Sequence, residues 1–96
     1  MHPLKSILLF LIAGSRGGPT RAKLINIIHN KPLNANQLSK ESKLDYKTVE
    51  HHLRILEKNN IVNIIQKGKY GALYVLSEEM EVNFDIFKEI WERFGN

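Results

Sequence analysis

The middle of the chain, between residues 33 and 59, carries apolar positions at helical spacing. Three of them recur at intervals of four and three and mark one helix face: Val49, Leu53 and Leu56. Lys47, His51 and Arg54 follow the same intervals on another side and form a basic, polar row. The pattern predicts an amphipathic helix over about residues 46–59, buried on one side and exposed on the other.

The residues before this helix contain two successive helix starts. Asn34 can accept a hydrogen bond from the backbone N–H of Gln37, whose side chain can reach back to Asn34, which is the arrangement of a capping box. Leu33 and Leu38 have the spacing of a hydrophobic staple around that cap. Asp45 repeats the arrangement, with a leucine before it and a valine four positions later. The two helices and their three-residue turn have the layout of a helix-turn-helix.

Two runs rich in Ile, Val, Leu and Tyr follow the second helix, at residues 61–66 and 72–77. Asn60, just before them, can adopt the left-handed conformation that ends a helix. Two glycines between the runs permit a tight or bulged connection, so the runs predict a β-hairpin. A hairpin behind a helix-turn-helix is a wing, which we expect at residues 66–72.

The tip of the predicted wing is basic. Lys67 and Lys69 lie beside glycines, where a backbone can approach a partner closely, and could reach phosphates or an adjacent minor groove. Tyr70 could pack on the sugar-phosphate edge. The alternative is that two lysines at a hairpin tip only keep it soluble.

Both ends of the chain are rich in apolar residues. Residues 3–13 are apolar almost all round, which predicts a buried helix, with a buried strand as the alternative. Pro19 is expected at the first position of the next helix, which runs to about His29. A last helix over residues 83–95 is expected to have Asn83 as its cap.

The last helix also carries aromatic residues at intervals of three, four and three. Together with the apolar first helix, they exceed what one core of 96 residues easily absorbs. We therefore expect a two-fold dimer interface from residues of both terminal helices: Leu4, Ile7, Leu8, Leu11, Phe84, Phe87, Trp91 and Phe94. The alternative is that the aromatic stripe packs only on its own domain.

These elements predict a single domain over residues 1–96, mainly α with a small β-hairpin. Its centre is a winged helix-turn-helix core at residues 19–77. An N-terminal apolar helix within residues 1–14 and a C-terminal helix at residues 83–95 complete it. A length of 96 residues fits one domain.

The stretch LDYKTVEHHLRILEKNNIV resembles the recognition-helix signature of small archaeal winged-helix regulators, akin to the ArsR-like and MarR-like groups. The resemblance covers about residues 19–77 and is most specific in the segment TV-x-HHL-x-x-L. It implies a dimeric, DNA-binding transcription regulator in which Lys47, Thr48 and His51 face DNA. It also implies that His52 supports the helix from inside.

Two positions depart from the pattern of these regulators. Lys43 occupies a turn position that is often glycine, and Asn60 replaces a glycine that commonly ends the helix. Asparagine tolerates the left-handed region, so the departure at Asn60 is compatible with the fold.

Charge is distributed unevenly about a net charge of +4. Residues 1–77 carry 12 Lys and Arg against 4 Asp and Glu, a balance of +8, whereas residues 78–96 carry 2 against 6, a balance of −4. A basic surface attracts the phosphate backbone and makes affinity fall steeply with salt. The acidic C-terminal segment is expected to point away from DNA.

Double-stranded DNA is therefore the predicted partner, and a two-fold dimer would read a pseudo-palindrome with half-sites about 34 Å apart. Phosphate contacts are expected from basic and hydroxyl side chains: Lys40, Lys43, Thr48, Lys67 and Lys69. Base contacts are expected from the exposed row and its neighbour: Lys47, Glu50, His51 and Arg54. Tyr46 and Tyr70 complete the predicted DNA-binding set.

Other function classes receive less support from the sequence. The apolar run at residues 7–13 is shorter than the roughly 20 residues of a membrane span, and a cytoplasmic protein is expected. The chain has no cysteine for thiolate metal ligands, and His51 and His52 point about 100° apart on a helix. We expect no enzyme, no cofactor and no small-molecule effector. A winged-helix module that binds proteins within a transcription or repair assembly is the remaining alternative.

Overall fold

The computed structural model describes residues 2–66 and 71–95, apart from the side chain of Asn30. These parts are mainly helical with one small hairpin, which confirms the predicted fold class. The elements in chain order are α1 (Pro3–Leu8) with a π-helical continuation (Leu9–Ala13), α2 (Gly18–Asn30), α3 (Ala35–Ser42), α4 (Tyr46–Lys58), β1 (Val62–Ile65), β2 (Leu73–Leu76), α5 (Glu78–Val82) and α6 (Phe84–Phe94).

The apolar N-terminal segment is a helix rather than a strand. Its last turn, Leu9–Ala13, is a wider π turn that ends where the amide of Gly14 donates to the carbonyl of Leu9 at 2.8 Å. A Cβ atom at Gly18 would lie 1.9 Å from the carbonyl oxygen of Ile12, so glycine allows α2 to begin directly against this turn. Pro19 is the second residue of α2, one position later than predicted.

Both predicted helix caps of the helix-turn-helix are present. Asn34 Oδ1 accepts from the Gln37 amide at 2.8 Å, and Gln37 Oε1 accepts from the Asn34 amide at 2.9 Å. Asp45 Oδ2 accepts from the amide of Lys47 at 3.1 Å, which caps α4. Between them Lys43 adopts a left-handed conformation with φ of 61°, so a lysine fills the position that glycine often occupies.

The predicted hairpin is also confirmed. β1 and β2 pair antiparallel, with Val62 opposite Leu76, and Asn60 ends the preceding helical segment with φ of 61°. Leu33 and Tyr74 exchange two backbone hydrogen bonds of 2.7 and 3.3 Å, which ties the segment before α3 to the outer edge of β2. The predicted wing tip, with Lys67, Lys69 and Tyr70, lies outside the described residues.

The short helix α5 was not predicted from the sequence. Ser77 Oγ caps it by accepting from the amide of Met80 at 3.1 Å. Asn83 does not cap α6 through its side chain, because its Nδ2 donates to the carbonyl of Glu79 at 2.9 Å. The predicted role of Asn83 was therefore wrong, since its amide closes the last turn of α5 instead.

Every helix contributes residues to the core of the protein. This packing differs in part from the predicted dimer interface. The last helix packs on α1 and on the π turn. Four of the eight residues predicted at the interface are buried within the chain's own core and cannot face a partner: Leu4, Leu8, Leu11 and Phe87. Phe94 is 54% exposed, and Phe10, which was not predicted, is 64% exposed. None of the described helices has the length and apolar character to cross a membrane.

Candidate nucleic-acid interface

Helix α4 presents a basic row on its free side. Val49, Leu53 and Leu56 are fully buried or nearly so and fix the helix against the core. α4 packs mainly on α2, α3 and β1. On its opposite side the row of Lys47, His51, Arg54 and Lys58 is exposed, so four polar side chains follow one line along the helix.

The predicted DNA contacts differ in how far they are exposed. Glu50 is half-buried, so it is less available to a partner than the others. Lys67, Lys69 and Tyr70 lie outside the described residues. The remaining predicted contacts are all exposed: Lys40, Lys43, Tyr46, Lys47, Thr48, His51 and Arg54.

The N-terminal end of α4 concentrates donors and positive potential. A helix N-terminus carries a partial positive charge, because its first amides lack helical partners. Asp45 takes up the amides of Lys47 and, at 3.4 Å, of Thr48. The side chains of Lys47 and Thr48 are left free on the surface of this first turn, which is the part of a recognition helix that meets base edges.

Two surface depressions border α4. An open cleft of about 610 Å³ lies along its outer side, lined by His51, Arg54, Ile55, Glu57 and Lys58. A smaller one of about 250 Å³ lies between the start of α3, the start of α4 and β2, lined by Asn34, Ala35, Asn36, Tyr46, Gly71, Ala72 and Tyr74. The second depression places two tyrosines and two asparagines beside the predicted DNA-binding surface at the start of α4.

Tyr74 is a residue of this surface that the sequence interpretation missed. It is half-buried, and burial raises the pKa of its hydroxyl, with further increases from the charges of Glu57 and Glu50 and an opposing effect of Arg54. The hydroxyl of Tyr74 therefore lies within electrostatic range of four side chains of α4, since Tyr46 also raises its pKa. The β-strand pattern of residues 72–77 predicted the strand correctly but did not indicate that Tyr74 faces α4.

His52 occupies the position that the resemblance assigned to internal support. It is buried on the inner side of α4, and its Nδ1 lies 3.2 Å from Nη1 of Arg21 on α2. Burial lowers the pKa of His52, and the charges of Arg21 and His51 lower it further. Arg21 itself was not singled out in the sequence, since arginine on a helix usually faces solvent.

The histidines of the described residues do not form a metal site. No group of three or more His, Cys, Asp or Glu side chains converges there as a metal site. His51 and His52 have ring centroids 5.0 Å apart in an edge-to-face arrangement. His29 Nδ1 contacts Glu81 Oε1 at 2.8 Å, and its ring stacks on Phe84 at 3.6 Å, so its described neighbours are a carboxylate and an aromatic ring.

Comparison with solved structures finds winged helix-turn-helix folds. One of them is the homodimeric winged helix-turn-helix DNA-binding domain of Mb0332 from Mycobacterium bovis, described as a possible ArsR-family transcriptional regulator. It superimposes with a TM-score of 0.63 at 11% sequence identity, and the match covers 76% of this chain and 67% of that one. Reduced HlyU from Vibrio cholerae superimposes with a TM-score of 0.67 at 19% sequence identity, and the match covers 92% of this chain and 90% of that one. A probable transcriptional regulator from Pseudomonas aeruginosa superimposes with a TM-score of 0.66 at 19% sequence identity, and the match covers 94% of this chain and 73% of that one. At these identities the likeness shows the fold.

Sequence comparison finds a family model similar to the helix-turn-helix segment. No curated protein sequence matches the chain. Residues 18–63, from the start of α2 into β1, match the family model for bacterial regulatory proteins of the arsR family. The archaeal origin suggested by the sequence resemblance stays a prediction. With the fold and this match together, the chain has a winged helix-turn-helix fold whose residues 18–63 are similar to regulatory proteins of the arsR family.

Proposed function

We propose that this protein binds double-stranded DNA in a sequence-specific manner, with α4 in the major groove. The observation that carries the proposal is the exposed row of Lys47, His51 and Arg54 on a helix whose other side is locked into the core. A helix held in this way can enter a groove without losing its own packing. In this proposal the hairpin that follows α4 is the wing and lies beside the groove.

Base recognition in this proposal comes from the exposed row. Lys47 and Arg54 carry donors that fit O6 and N7 of guanine, and Arg54 can engage both at once. His51 can donate or accept, depending on its protonation and tautomer. Glu50 could accept from N4 of cytosine, although it is only partly exposed.

Phosphate contacts position the protein and supply most of the non-specific affinity. Lys40 on α3, Lys43 in the turn and Thr48 on α4 are exposed around the start of α4. Tyr46 is 42% exposed at the same place and could pack on the backbone. The three wing residues retain their proposed contacts: Lys67, Lys69 and Tyr70.

We further propose a two-fold dimer through the terminal helices, with a smaller set of residues than the sequence suggested. Phe10 and Phe94 are the most exposed aromatic side chains of these helices. Ile7, Phe84 and Trp91 are half-buried beside the core and could be covered by a partner. The homodimeric state of the Mycobacterium bovis domain supports this assembly. A dimer would read half-sites about 34 Å apart on one face of DNA.

Selection from genomic fragments with the purified protein, followed by footprinting, tests target, symmetry and half-site spacing together. Arg54→Ala should then relax preference at one base position at a cost of about 1–3 kcal/mol. Lys43→Ala should weaken binding to all sequences and reduce the slope of log K against log salt by about 1. Lys88→Ala, on the acidic α6, removes the same charge outside the proposed interface and should change neither.

Two outcomes would contradict the proposal. Equal effects of Arg54→Ala and Lys43→Ala on specific and random DNA would remove the division between base and phosphate contacts. No salt-dependent binding to any duplex would favour the alternative, a winged-helix module that binds other proteins.

A further inference from the structure

Arg21 is a buried cation whose described partners are all uncharged. Its side chain is 5% exposed, and burial lowers the pKa of its guanidinium. Its Nε donates to the carbonyl of Leu11 at 3.0 Å, its Nη2 donates to Ser15 Oγ, and its Nη1 donates to His52 Nδ1 at 3.2 Å. One side chain of α2 thus joins the end of the N-terminal helical segment to the inner side of the recognition helix.

The partial charges around Arg21 explain how a cation is tolerated there. Leu11 lies in the π turn, where the carbonyls at the end of a helix carry a partial negative charge. Ser15 Oγ donates to the same Leu11 carbonyl at 3.1 Å, so its lone pairs can face Arg21. His52 can accept through Nδ1 only when that nitrogen carries no proton, which fixes the neutral form with its hydrogen on Nε2.

Gly17 is shaped to this contact. Its φ of −82° is open to any residue, so glycine is not required by the backbone. A Cβ atom at Gly17, however, would lie 2.6 Å from Arg21 Nη1 and 2.6 Å from His52 Cε1. The absence of a side chain at Gly17 leaves the space in which the guanidinium and the imidazole meet.

We propose that Arg21 and His52 are positioning residues that form a proton-sensitive contact, holding the recognition helix to the N-terminal helical segment while His52 is neutral. Protonation of Nδ1 removes the acceptor and places two cations about 3.2 Å apart in a buried site. The recognition helix then loses its hydrogen-bonded tie to Leu11 and Ser15. The effect on DNA binding rests on the proposed function, whereas the effect on stability does not.

The direction of the pH dependence follows from the charges that act on His52. Arg21 from α2 and His51 from α4 itself both disfavour its protonation, and burial is the largest cause of its pKa falling below the ordinary 6.5. The unfolded chain therefore takes up a proton at this residue before the folded chain does. The contribution of the contact is complete above about pH 6.5 and is lost as the pH falls toward the lowered pKa.

The experiment compares pH profiles of wild type and His52→Asn between about pH 5 and 8. Asparagine places an amide oxygen close to the position of Nδ1 but takes up no proton in this range. The free energy of unfolding and the affinities for a selected duplex and a random duplex are measured at each pH. One proton gives at most about a tenfold loss of specific affinity per pH unit. Wild type should show such a loss and His52→Asn should not.

Two further variants separate this contact from general acid effects. His29→Asn removes the histidine beside Glu81 and Phe84 and should keep the acid-dependent loss seen in wild type. Gly17→Ala should push the two partners apart, weaken specific binding across the whole range and flatten the profile. If Gly17→Ala does not fold, the pH profiles of wild type and His52→Asn still test the proposed contact.

Direct titration by NMR supplies a readout that does not need DNA. The Arg21 Nε–H resonance should shift together with the His52 ring signals as the pH is lowered. Identical pH profiles for wild type and His52→Asn, or a His52 ring that titrates without any response at Arg21, would overturn the proposal. If no duplex is bound at all, the proposed function fails, while the unfolding and NMR measurements still test the contact.

Discussion

The proposed dimer makes a quantitative prediction at Phe10. This side chain is 64% exposed in the single chain. A phenylalanine of about 200 Å² would thus bring roughly 130 Å² to an interface, worth about 3 kcal/mol per copy at 25 cal/mol per Å² when fully covered. Two copies are covered in a two-fold dimer. Even with half of that area covered, Phe10→Ala should weaken association by about 3 kcal/mol, which is more than about a hundredfold in Kd.

Sedimentation equilibrium over a concentration series measures this change directly. Val82→Ala is the matched control, because Val82 is 73% exposed but lies on the short helix α5. It should leave the dissociation constant unchanged. Thermal unfolding of Phe10→Ala under monomeric conditions should match wild type, since an exposed ring contributes little to the core. A wild-type protein that sediments as a monomer at tens of micromolar, or equal constants for both variants, would refute the assembly.

Two predictions concern the folded chain itself. Phe87→Ala should lower the free energy of unfolding by about 3–5 kcal/mol, because Phe87 is fully buried and its loss leaves a cavity; urea titration at fixed protein concentration checks this. Asn34→Ala should lower the free energy of unfolding by about 1 kcal/mol, because it removes the acceptor of the Gln37 amide. If the two side chains cap the helix together, Gln37→Ala should cost less in the Asn34→Ala variant than in the wild type.

The features predicted best from the sequence are those set by local physics. Asn34 and Asp45 cap helices through amides two or three positions away, so neighbouring residues suffice to identify them. The left-handed conformation of Asn60 follows in the same way from a side chain that tolerates it. Ser77, followed by acidic residues in the first turn of α5, is a local signal of the same kind for that short helix.

Features that depend on distant neighbours were predicted less well. The aromatic spacing identified the apolar side of α6, but spacing does not tell which rings meet the chain's own core. Packing of α6 on α1 buries Phe87 and leaves Phe94 exposed. Arg21 shows the same limit more strongly, because two of its three partners lie on α4 and in the π turn, 31 and 10 residues away in sequence. A charged residue on a helix gives no local sign that such partners exist.

The proposed dimer and the Arg21–His52 contact meet in one turn of the chain. Phe10 points outward from the π turn, while the carbonyl of the next residue, Leu11, accepts from Arg21 on the inner side. A two-fold axis midway between half-sites places each recognition helix about 17 Å away from it, half of the roughly 34 Å between half-sites. The chain measures 39 × 25 × 21 Å, so α4 can lie at that distance while Phe10 faces the axis.

The angle between α4 and the axis then decides whether two helices fit two half-sites at once. Phosphate contacts on random DNA do not require that spacing, because one protomer can bind wherever charge permits. Specific binding requires both helices in register. Loss of the Arg21–His52 contact should therefore weaken binding to a selected pseudo-palindrome more than binding to random duplex, although neither Arg21 nor His52 reaches the exposed side of α4.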